Sequence, residues 1–258
     1  MKSMKTVIYI LLFFFPCLAL AQEATGEVVA KKALGDSLYI ANDYTGAITA
    51  YEEAMATQGE AADLYYNLGN AYYKNDEIAK AILNYERALL LAPGDEDINF
   101  NLTLAQSKIV DKVSEPYRIF FTVWIENVIN LFAMDTWAIV AIAAFVLLLA
   151  ALLLFLFSNK MGLRKSGFIV ALLSLVITIF ANVAALHHYD RLTNRTAAIV
   201  MQPSVTAKST PDNSGTDLFV IHEGRKVNIT DDTMKGWKEI ELEDGTIGWL
   251  PADAIEKI

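Results

Sequence analysis

The sequence predicts a multidomain membrane protein with three parts: an all-α region of repeats, a two-helix transmembrane hairpin and a small all-β barrel. Three observations lead to this fold class. A residue pattern recurs 34 residues apart near the N-terminus, and two long apolar segments contain no charged residue. Short strand-like runs separated by turn residues fill the C-terminal quarter.

The distribution of charge supports this division. The chain has 258 residues, of which 54% are hydrophobic, and a formal charge of −9. Residues 22–116 carry −9 and residues 193–258 carry −4, whereas the apolar block 117–192 carries +2. A single soluble enzyme domain does not fit this pattern. The acidic flanks also argue against nucleic acid as a partner, because phosphate binding needs clustered Lys and Arg.

Residues 1–21 have the features of a secretory signal peptide. Lys2 and Lys5 precede an apolar run over 7–18, and Ala19-Leu20-Ala21 is a small-x-small cleavage site. The alternative is a lipoprotein site at Cys17, but Pro16 stands where a small residue is required. Cleavage after Ala21 would remove the single cysteine, which excludes disulfides, thiol catalysis and thiolate metal sites in the mature chain.

Residues 22–114 contain two copies of a helical repeat, at 28–61 and 62–95. The second copy has large, small and proline residues at fixed spacings: Tyr65, Leu68, Gly69, Tyr72, Ala81, Tyr85, Ala88 and Pro93. The first copy repeats the pattern 34 residues earlier: Leu34, Gly35, Leu38, Ala47, Tyr51 and Ala54. Small residues allow two helices to cross closely. This pattern resembles the tetratricopeptide repeat.

A third helix, predicted over 95–112, caps the repeats. Acidic residues at 95–97 suit a helix N-terminus, and no second helix of a third repeat follows. By resemblance to tetratricopeptide grooves, eight side chains would bind a protein partner: Lys32, Asp36, Tyr39, Tyr66, Asn70, Tyr73, Lys74 and Phe100. The alternative is that some of these tyrosines are packing residues.

The groove does not match the carboxylate clamp by which some such repeats hold an acidic peptide tail. Lys32 and Asn67 fit that clamp, but Asp36 and Asp97 place acids where asparagine and a base are expected. Like charges therefore disfavour an acidic C-terminal peptide.

Two segments, 137–157 and 168–186, are predicted to cross a bilayer. At 1.5 Å per residue they are about 31 and 28 Å long, close to the thickness of the hydrocarbon core. The loop 158–166 contains Lys160, Arg164 and Lys165 without an acid. The positive-inside rule places this loop in the cytoplasm of a bacterial inner-membrane protein. Both soluble regions would then lie in the periplasm, which agrees with a cleaved signal peptide.

Residues 115–135 are predicted to form an amphipathic helix on the membrane surface. The segment is apolar except for a narrow polar stripe: Arg118, Thr122, Glu126 and Asn130. A crossing would leave Glu126 near the middle of the membrane at a cost of about 2–3 kcal/mol. A third crossing is the alternative, and it would reverse the topology.

Residues 196–258 are predicted to form a small barrel. Five strand-like runs lie at 197–200, 218–222, 226–229, 237–242 and 246–250. Asp244-Gly245 is predicted as a two-residue hairpin turn. The layout resembles a bacterial Src-homology-3 domain, notably in Glu223-Gly224, Trp237 and Gly248-Trp249-Leu250. We expect Trp237 in the core, whereas Trp249 is equally suited to the core or to a ligand site.

The search for a catalytic site finds little. The three histidines are His187 and His188 at the outer end of the second span, and His222 at the end of a strand. Metal-binding histidine motifs, phosphate-binding loops and nucleophile elbows are missing from the sequence. We therefore expect no enzymatic activity, no cofactor and no metal site.

The order of signal peptide, repeats, hairpin and barrel resembles the tetratricopeptide-repeat proteins of the Bacteroides aerotolerance (Bat) operon. That resemblance implies a membrane-bound adaptor acting in oxygen tolerance or envelope stress. It also implies membrane-anchored von Willebrand factor A-type proteins and an AAA-type ATPase as partners. The alternative function is an envelope sensor or anchor whose barrel binds peptidoglycan or a wall peptide. The short loop 158–166 argues against a sensor, because it leaves no room for an output domain.

Overall fold

The computed structural model describes residues 30–111 and 119–258. The predicted signal peptide and the first part of the predicted segment 115–135 lie outside the described residues. Within the described ranges, eight α-helices precede one antiparallel sheet of seven strands. This succession of an all-α region, two long apolar helices and an all-β region agrees with the predicted fold class.

Five helices form the repeat region: α1 (30–40), α2 (Tyr44–Gln58), α3 (Ala62–Lys74), α4 (Ile78–Leu91) and α5 (Glu96–Gln106). Asn42 and Asp76, 34 residues apart, adopt positive φ angles of 62° and 63° in the turn inside each helix pair. Asn and Asp tolerate this conformation better than most residues. Helix α5 ends at Gln106 rather than at the predicted residue 112, and turns and bends follow it.

Each helix pair is brought together at a glycine. A Cβ on Gly35 would lie 2.5 Å from the Tyr51 ring, and one on Gly69 would lie 2.7 Å from the Tyr85 ring. These contacts are equivalent by the 34-residue repeat. The glycines therefore create the space into which a tyrosine of the next helix packs.

One apolar cluster runs through the repeats. Its largest fully buried members are Tyr51, Leu64, Ile82 and Tyr85. Most alanines predicted at helix crossings are also inaccessible to solvent: Ala47, Ala54, Ala81 and Ala88. The core thus consists of small residues on one helix facing large residues on the next.

Three further helices follow: α6 (Phe120–Ile129), α7 (Met134–Phe157) and α8 (Met161–Thr193). Helix α6 is about 15 Å long, which is half of what a crossing requires. The carbonyl of Ile129 at its end accepts a hydrogen bond from Trp137 Nε1 at 2.8 Å, and His188 Nε2 lies 3.1 Å from the same oxygen. The end of α6 is therefore fixed to the near ends of α7 and α8.

Helices α7 and α8 pack as an antiparallel hairpin and are long and apolar enough to cross a membrane. Their contact is made of small side chains, including Ala151, Gly167 and Ala171. Only 17% of the most apolar part of α7 and 22% of that of α8 is buried, whereas a core helix of a soluble protein is mostly buried. Helix α8 begins at Met161, so most of the predicted loop 158–166 is helical.

The sheet contains β1 (Ala197–Val200), β2 (Ser204–Lys208), β3 (Asp217–His222), β4 (Lys226–Asp231), β5 (Trp237–Glu241), β6 (Ile247–Pro251) and β7 (Ile255–Lys257), with a 3₁₀ turn over Ala252–Ala254. The strands are ordered β3-β2-β6-β5-β4-β1-β7, and every pairing is antiparallel. We call residues 197–258 the β-domain. Strands β2 and β7 were not predicted from the sequence, whereas the other five agree within two residues.

Two predictions in the β-domain are wrong. The β5–β6 connection is a three-residue loop, because Leu242 N donates to Thr246 O and Gly245 takes a positive φ of 83° after a tight turn. Trp237 is only half-buried and lies outside the core cluster. Small aliphatic side chains, among them Val200, Val227 and Ile240, fill that core instead.

Candidate protein-binding groove

The first helix of each repeat carries a polar residue that accepts two hydrogen bonds. In α1, Asp36 Oδ1 accepts from Tyr51 Oη at 2.8 Å and from Asn67 Nδ2 at 3.3 Å. In α3, Asn70 Oδ1 accepts from Tyr85 Oη at 2.8 Å and from Asn101 Nδ2 at 3.1 Å. We call these four bonds the hydrogen-bond ladder.

The ladder follows the 34-residue repeat in all three of its positions. Asp36 and Asn70 are equivalent, as are Tyr51 and Tyr85, and as are Asn67 and Asn101. Sequence reasoning missed Asn101, although its spacing of 34 residues from Asn67 was the signal that could have found it. The same amide nitrogen of Asn101 also donates to Tyr66 Oη at 2.9 Å. The ladder thus connects α1, α3 and α5.

A cavity of about 360 Å³ lies beside the ladder and is lined by Asp36, Tyr39, Ile40, Tyr51, Asn67 and Asn70. Three of the predicted groove residues lie in this lining: Asp36, Tyr39 and Asn70. Lys32 lies next to it, with Nζ 3.6 Å from Asp36 Oδ2 and 3.7 Å from Asp63 Oδ2. The cavity therefore combines one aliphatic side chain, two phenols and three polar groups held in fixed orientations.

The tyrosine hydroxyls of the ladder remain protonated donors at neutral pH. Burial raises the pKa of Tyr51, and its hydrogen bond to Asp36 raises the pKa further. Burial, followed by the neighbouring Tyr66, raises the pKa of Tyr85. Burial also raises the pKa of Tyr39 in the cavity wall. Loss of these protons would cost more than in water, so the ladder keeps its donor pattern.

Apolar side chains extend the groove beyond the cavity. Phe100 on α5 is 69% exposed, and Ile40 at the end of α1 is 80% exposed. Leu104 and Lys108 follow Phe100 at intervals of four residues, which places them on the same face. Lys108 Nζ lies 4.2 Å from the centre of the Tyr73 ring. Lys74 is exposed at the last residue of α3.

The tyrosines divide between packing and surface roles. Tyr51, Tyr65, Tyr72 and Tyr85 are buried in the apolar cluster. Tyr39, Tyr66 and Tyr73 are half-buried, and they pack against the cluster while retaining an accessible edge. The tyrosines predicted for the groove are therefore partly packing residues, which was the alternative drawn from the sequence. Asp97 lies exposed in the first turn of α5, away from the ladder.

The β-domain offers a smaller candidate site. Trp249 on β6 is half-buried and pairs with Glu239 on β5 and with Lys208 on β2. Across residues 30–111 and 119–258, His, Asp and Glu side chains do not gather into a group of three or more that could hold a metal ion.

Comparison with protein families bears on the groove region. A TPR repeat model matches residues 35–76, and a Tetratricopeptide repeat model matches residues 62–95. Residues 35–95 are tetratricopeptide repeats. No curated protein matches the chain in sequence. Tetratricopeptide repeats are protein-interaction modules, and repeats of this kind present extended concave surfaces to their partners.

Proposed function

We propose that the protein is a non-catalytic membrane-anchored adaptor, and that its tetratricopeptide repeats capture a protein partner in the groove. The observation that carries this proposal is the hydrogen-bond ladder beside the 360 Å³ cavity. Amide and phenol groups in fixed positions can bind a peptide backbone without being reorganised. The exposed Phe100 and Ile40 supply apolar contacts of the kind that dominate most protein interfaces.

The membrane anchor in this proposal is the α7–α8 hairpin. The basic residues Lys160, Arg164 and Lys165 face the cytoplasm, and the repeats and the β-domain face the periplasm of a bacterial inner membrane. Helix α6 lies in the headgroup layer, because it exposes Phe120, Phe121 and Trp124 and is too short to cross. Confinement of adaptor and partner to one membrane raises their effective concentration, so modest groove affinity suffices.

The order of the parts supports a finer assignment. It resembles the Bat-operon proteins, and the β-domain resembles a bacterial Src-homology-3 domain in its sequence motifs. We infer that the partners include membrane-anchored von Willebrand factor A-type proteins of an aerotolerance or envelope-stress complex.

The decisive experiment changes the two most exposed apolar side chains of the groove. The double variant Ile40→Ser with Phe100→Ser should abolish co-purification of membrane partners in mild detergent, without lowering the amount of protein in the membrane. Both side chains are mainly exposed, so the fold should persist. The matched control is Met234→Ser with Ile247→Ser, two exposed apolar residues of the β-domain.

The outcome also separates the two candidate functions. Trp237 and Trp249 are both half-buried, which favours a ligand surface on the β-domain as the second candidate. Capture that survives the groove variant but fails with Trp249→Ala would contradict the adaptor groove. It would support the envelope sensor or anchor that binds peptidoglycan or a wall peptide.

A further inference from the structure

The repeat region ends on an incomplete unit. A tetratricopeptide repeat consists of two helices, and α5 is the first helix of a third repeat whose second helix does not follow within the described residues. Repeat arrays need a cap at each end, because the terminal unit exposes the apolar surface that the next unit would cover. What covers α4 and α5 on this side is the β-domain.

Strand β1 separates two apolar cores. Ala198 and Val200 point into the core of the β-domain. The alternate residue, Ile199, belongs to the apolar cluster of the repeats and is 0% exposed. Its neighbours Ala197 and Met201 pack against the same cluster. Since successive side chains of a strand point to opposite faces, β1 is buried on both faces.

Ile258 adds a second apolar contact. It is 3% exposed and lies in the repeat cluster rather than in the core of the β-domain. Its amide donates to Ala197 O at 3.0 Å, which holds it beside β1. Ile199 and Ile258 thus complete a core whose other members all come from the repeats.

The turn between β3 and β4 fits closely onto the repeats. A Cβ on Gly224 would lie 2.6 Å from Ile109 Cγ2 and 3.1 Å from Ile82 Cδ1. Gly224 also has a positive φ of 81°, and its amide donates to Val200 O. Only glycine satisfies both the backbone conformation and the close approach.

Polar contacts surround this apolar centre. Lys226 Nζ lies 2.6 Å from Glu86 Oε2, and Arg87 Nη2 donates to Glu256 Oε1 at 2.9 Å. On the other side, His222 N donates to Asp111 Oδ2 at 2.7 Å. An apolar centre with a rim of paired charges is the usual anatomy of a stable interface.

We propose that the β-domain is the C-terminal cap of the repeat array and takes the place of the missing second helix. The cap acts on the groove through α4. This helix contacts the β-domain with Ile82, Glu86 and Arg87, and it donates the Tyr85 hydroxyl to Asn70 in the ladder. This role of the β-domain goes beyond the adaptor function and does not depend on any ligand of the groove or of Trp249.

The test is hydrogen exchange on the full chain in detergent, comparing Ile258→Ser with the matched control Ile247→Ser. Ile258 is buried against the repeats, whereas Ile247 is half-exposed on β6. With Ile258→Ser, amide exchange in α4 and α5 should rise about tenfold or more, as expected when roughly 1.4 kcal/mol of local stability is lost. Exchange in β5 and β6 should not change. Unchanged exchange in α4 and α5 would overturn the proposal.

A charge swap tests the cap if Ile258→Ser also disturbs the β-domain. Arg87→Glu places a like charge opposite Glu256 and should raise exchange in α4 and α5 several-fold. Adding Glu256→Arg should restore the slow exchange, since the pair is re-formed with its charges reversed. If the double variant exchanges no more slowly than Arg87→Glu alone, the docked arrangement is wrong.

Discussion

At the scale of single residues, a glycine in each repeat sets the distance between its two helices. Gly35 faces the Tyr51 ring and Gly69 faces the Tyr85 ring, so the same pair occurs twice. Each of these tyrosines also donates its hydroxyl to the ladder. The close approach of the helices and the geometry of the groove therefore depend on the same two pairs of residues.

Gly69→Ala should destabilise the repeats. The added Cβ would meet the Tyr85 ring at 2.7 Å, and overpacking of this kind costs about 1–3 kcal/mol. Only part of this cost is offset by the better helix propensity of alanine, about 1 kcal/mol. The matched control is Gly162→Ala on α8, where an added Cβ meets no atom within 4 Å in the described residues. Thermal unfolding followed by circular dichroism should show a lower Tm for Gly69→Ala alone.

A single ion pair should make stability depend on acidity. Arg195 donates to Glu60 and lowers the pKa of this carboxyl, which links the repeats to the start of the β-domain. Because the folded-state pKa lies below the unfolded one, this contribution is present above the unfolded pKa and is lost as pH falls through the folded pKa. Both side chains are partly exposed, so the contribution is below about 1 kcal/mol.

Glu60→Gln removes this contribution. The wild type should lose more Tm than Glu60→Gln between pH 6 and pH 3, when Tm is measured at the same ionic strength. Parallel pH profiles for the two proteins would contradict a role of this pair in stability.

At the scale of elements, α5 completes the groove and depends on its N-terminal cap. Asp95 Oδ1 accepts hydrogen bonds from Asp97 N and Ile98 N, both at 3.0 Å. These bonds satisfy two backbone donors that an α-helix leaves unpaired at its start. Helix α5 in turn positions Asn101 in the ladder and Phe100 in the groove.

Asp95→Ala should cost about 0.5–2 kcal/mol, because the cap is lost. Asp95→Asn is the matched control, since its side-chain oxygen can accept the same bonds. Chemical denaturation should rank the proteins with wild type and Asp95→Asn together and Asp95→Ala lower. Equal midpoints for Asp95→Ala and wild type would show that the cap contributes nothing measurable.

At the scale of the whole molecule, the hairpin brings both soluble regions to one side. Helices α7 and α8 are antiparallel neighbours, and the end of α6 meets the end of α8 at Ile129 and His188. The repeats precede α6 and the β-domain follows α8. Their mutual packing through β1 requires both to leave the hairpin at the same end, which fits a two-span topology.

Reporter fusions test this topology. A reporter active only in the periplasm should function when fused after residue 111 or after Ile258, and should be silent when inserted after Met161. This result follows from two crossings with the basic residues in the cytoplasm. Activity at Met161, or silence after Ile258, would rule out two spans and favour a third crossing by the segment 115–135.

The repeats, the apolar helices and most strands could be predicted because their signals are local. The 34-residue period, the uncharged runs and the alternation of residues in strands each lie within a short stretch of chain. Strand β2 was missed because Ser204–Lys208 has weak strand character and becomes a strand through its pairing with β3 and β6. Trp237 was misplaced because its size predicts burial, whereas the small aliphatic side chains already fill the core of the β-domain.

The sequence by itself determined the repeats, the two apolar helices, the acidic soluble regions and most residues of the candidate groove. Only the tertiary structure decided that the β-domain closes the open end of the repeats. That contact joins residues as distant as Arg87 and Glu256, 169 positions apart. Ile199 and Ile258 have the same apolar character as residues of the β-domain core, so composition could not assign them to the repeats. Which core an apolar side chain joins depends on long-range packing, and no local pattern encodes it.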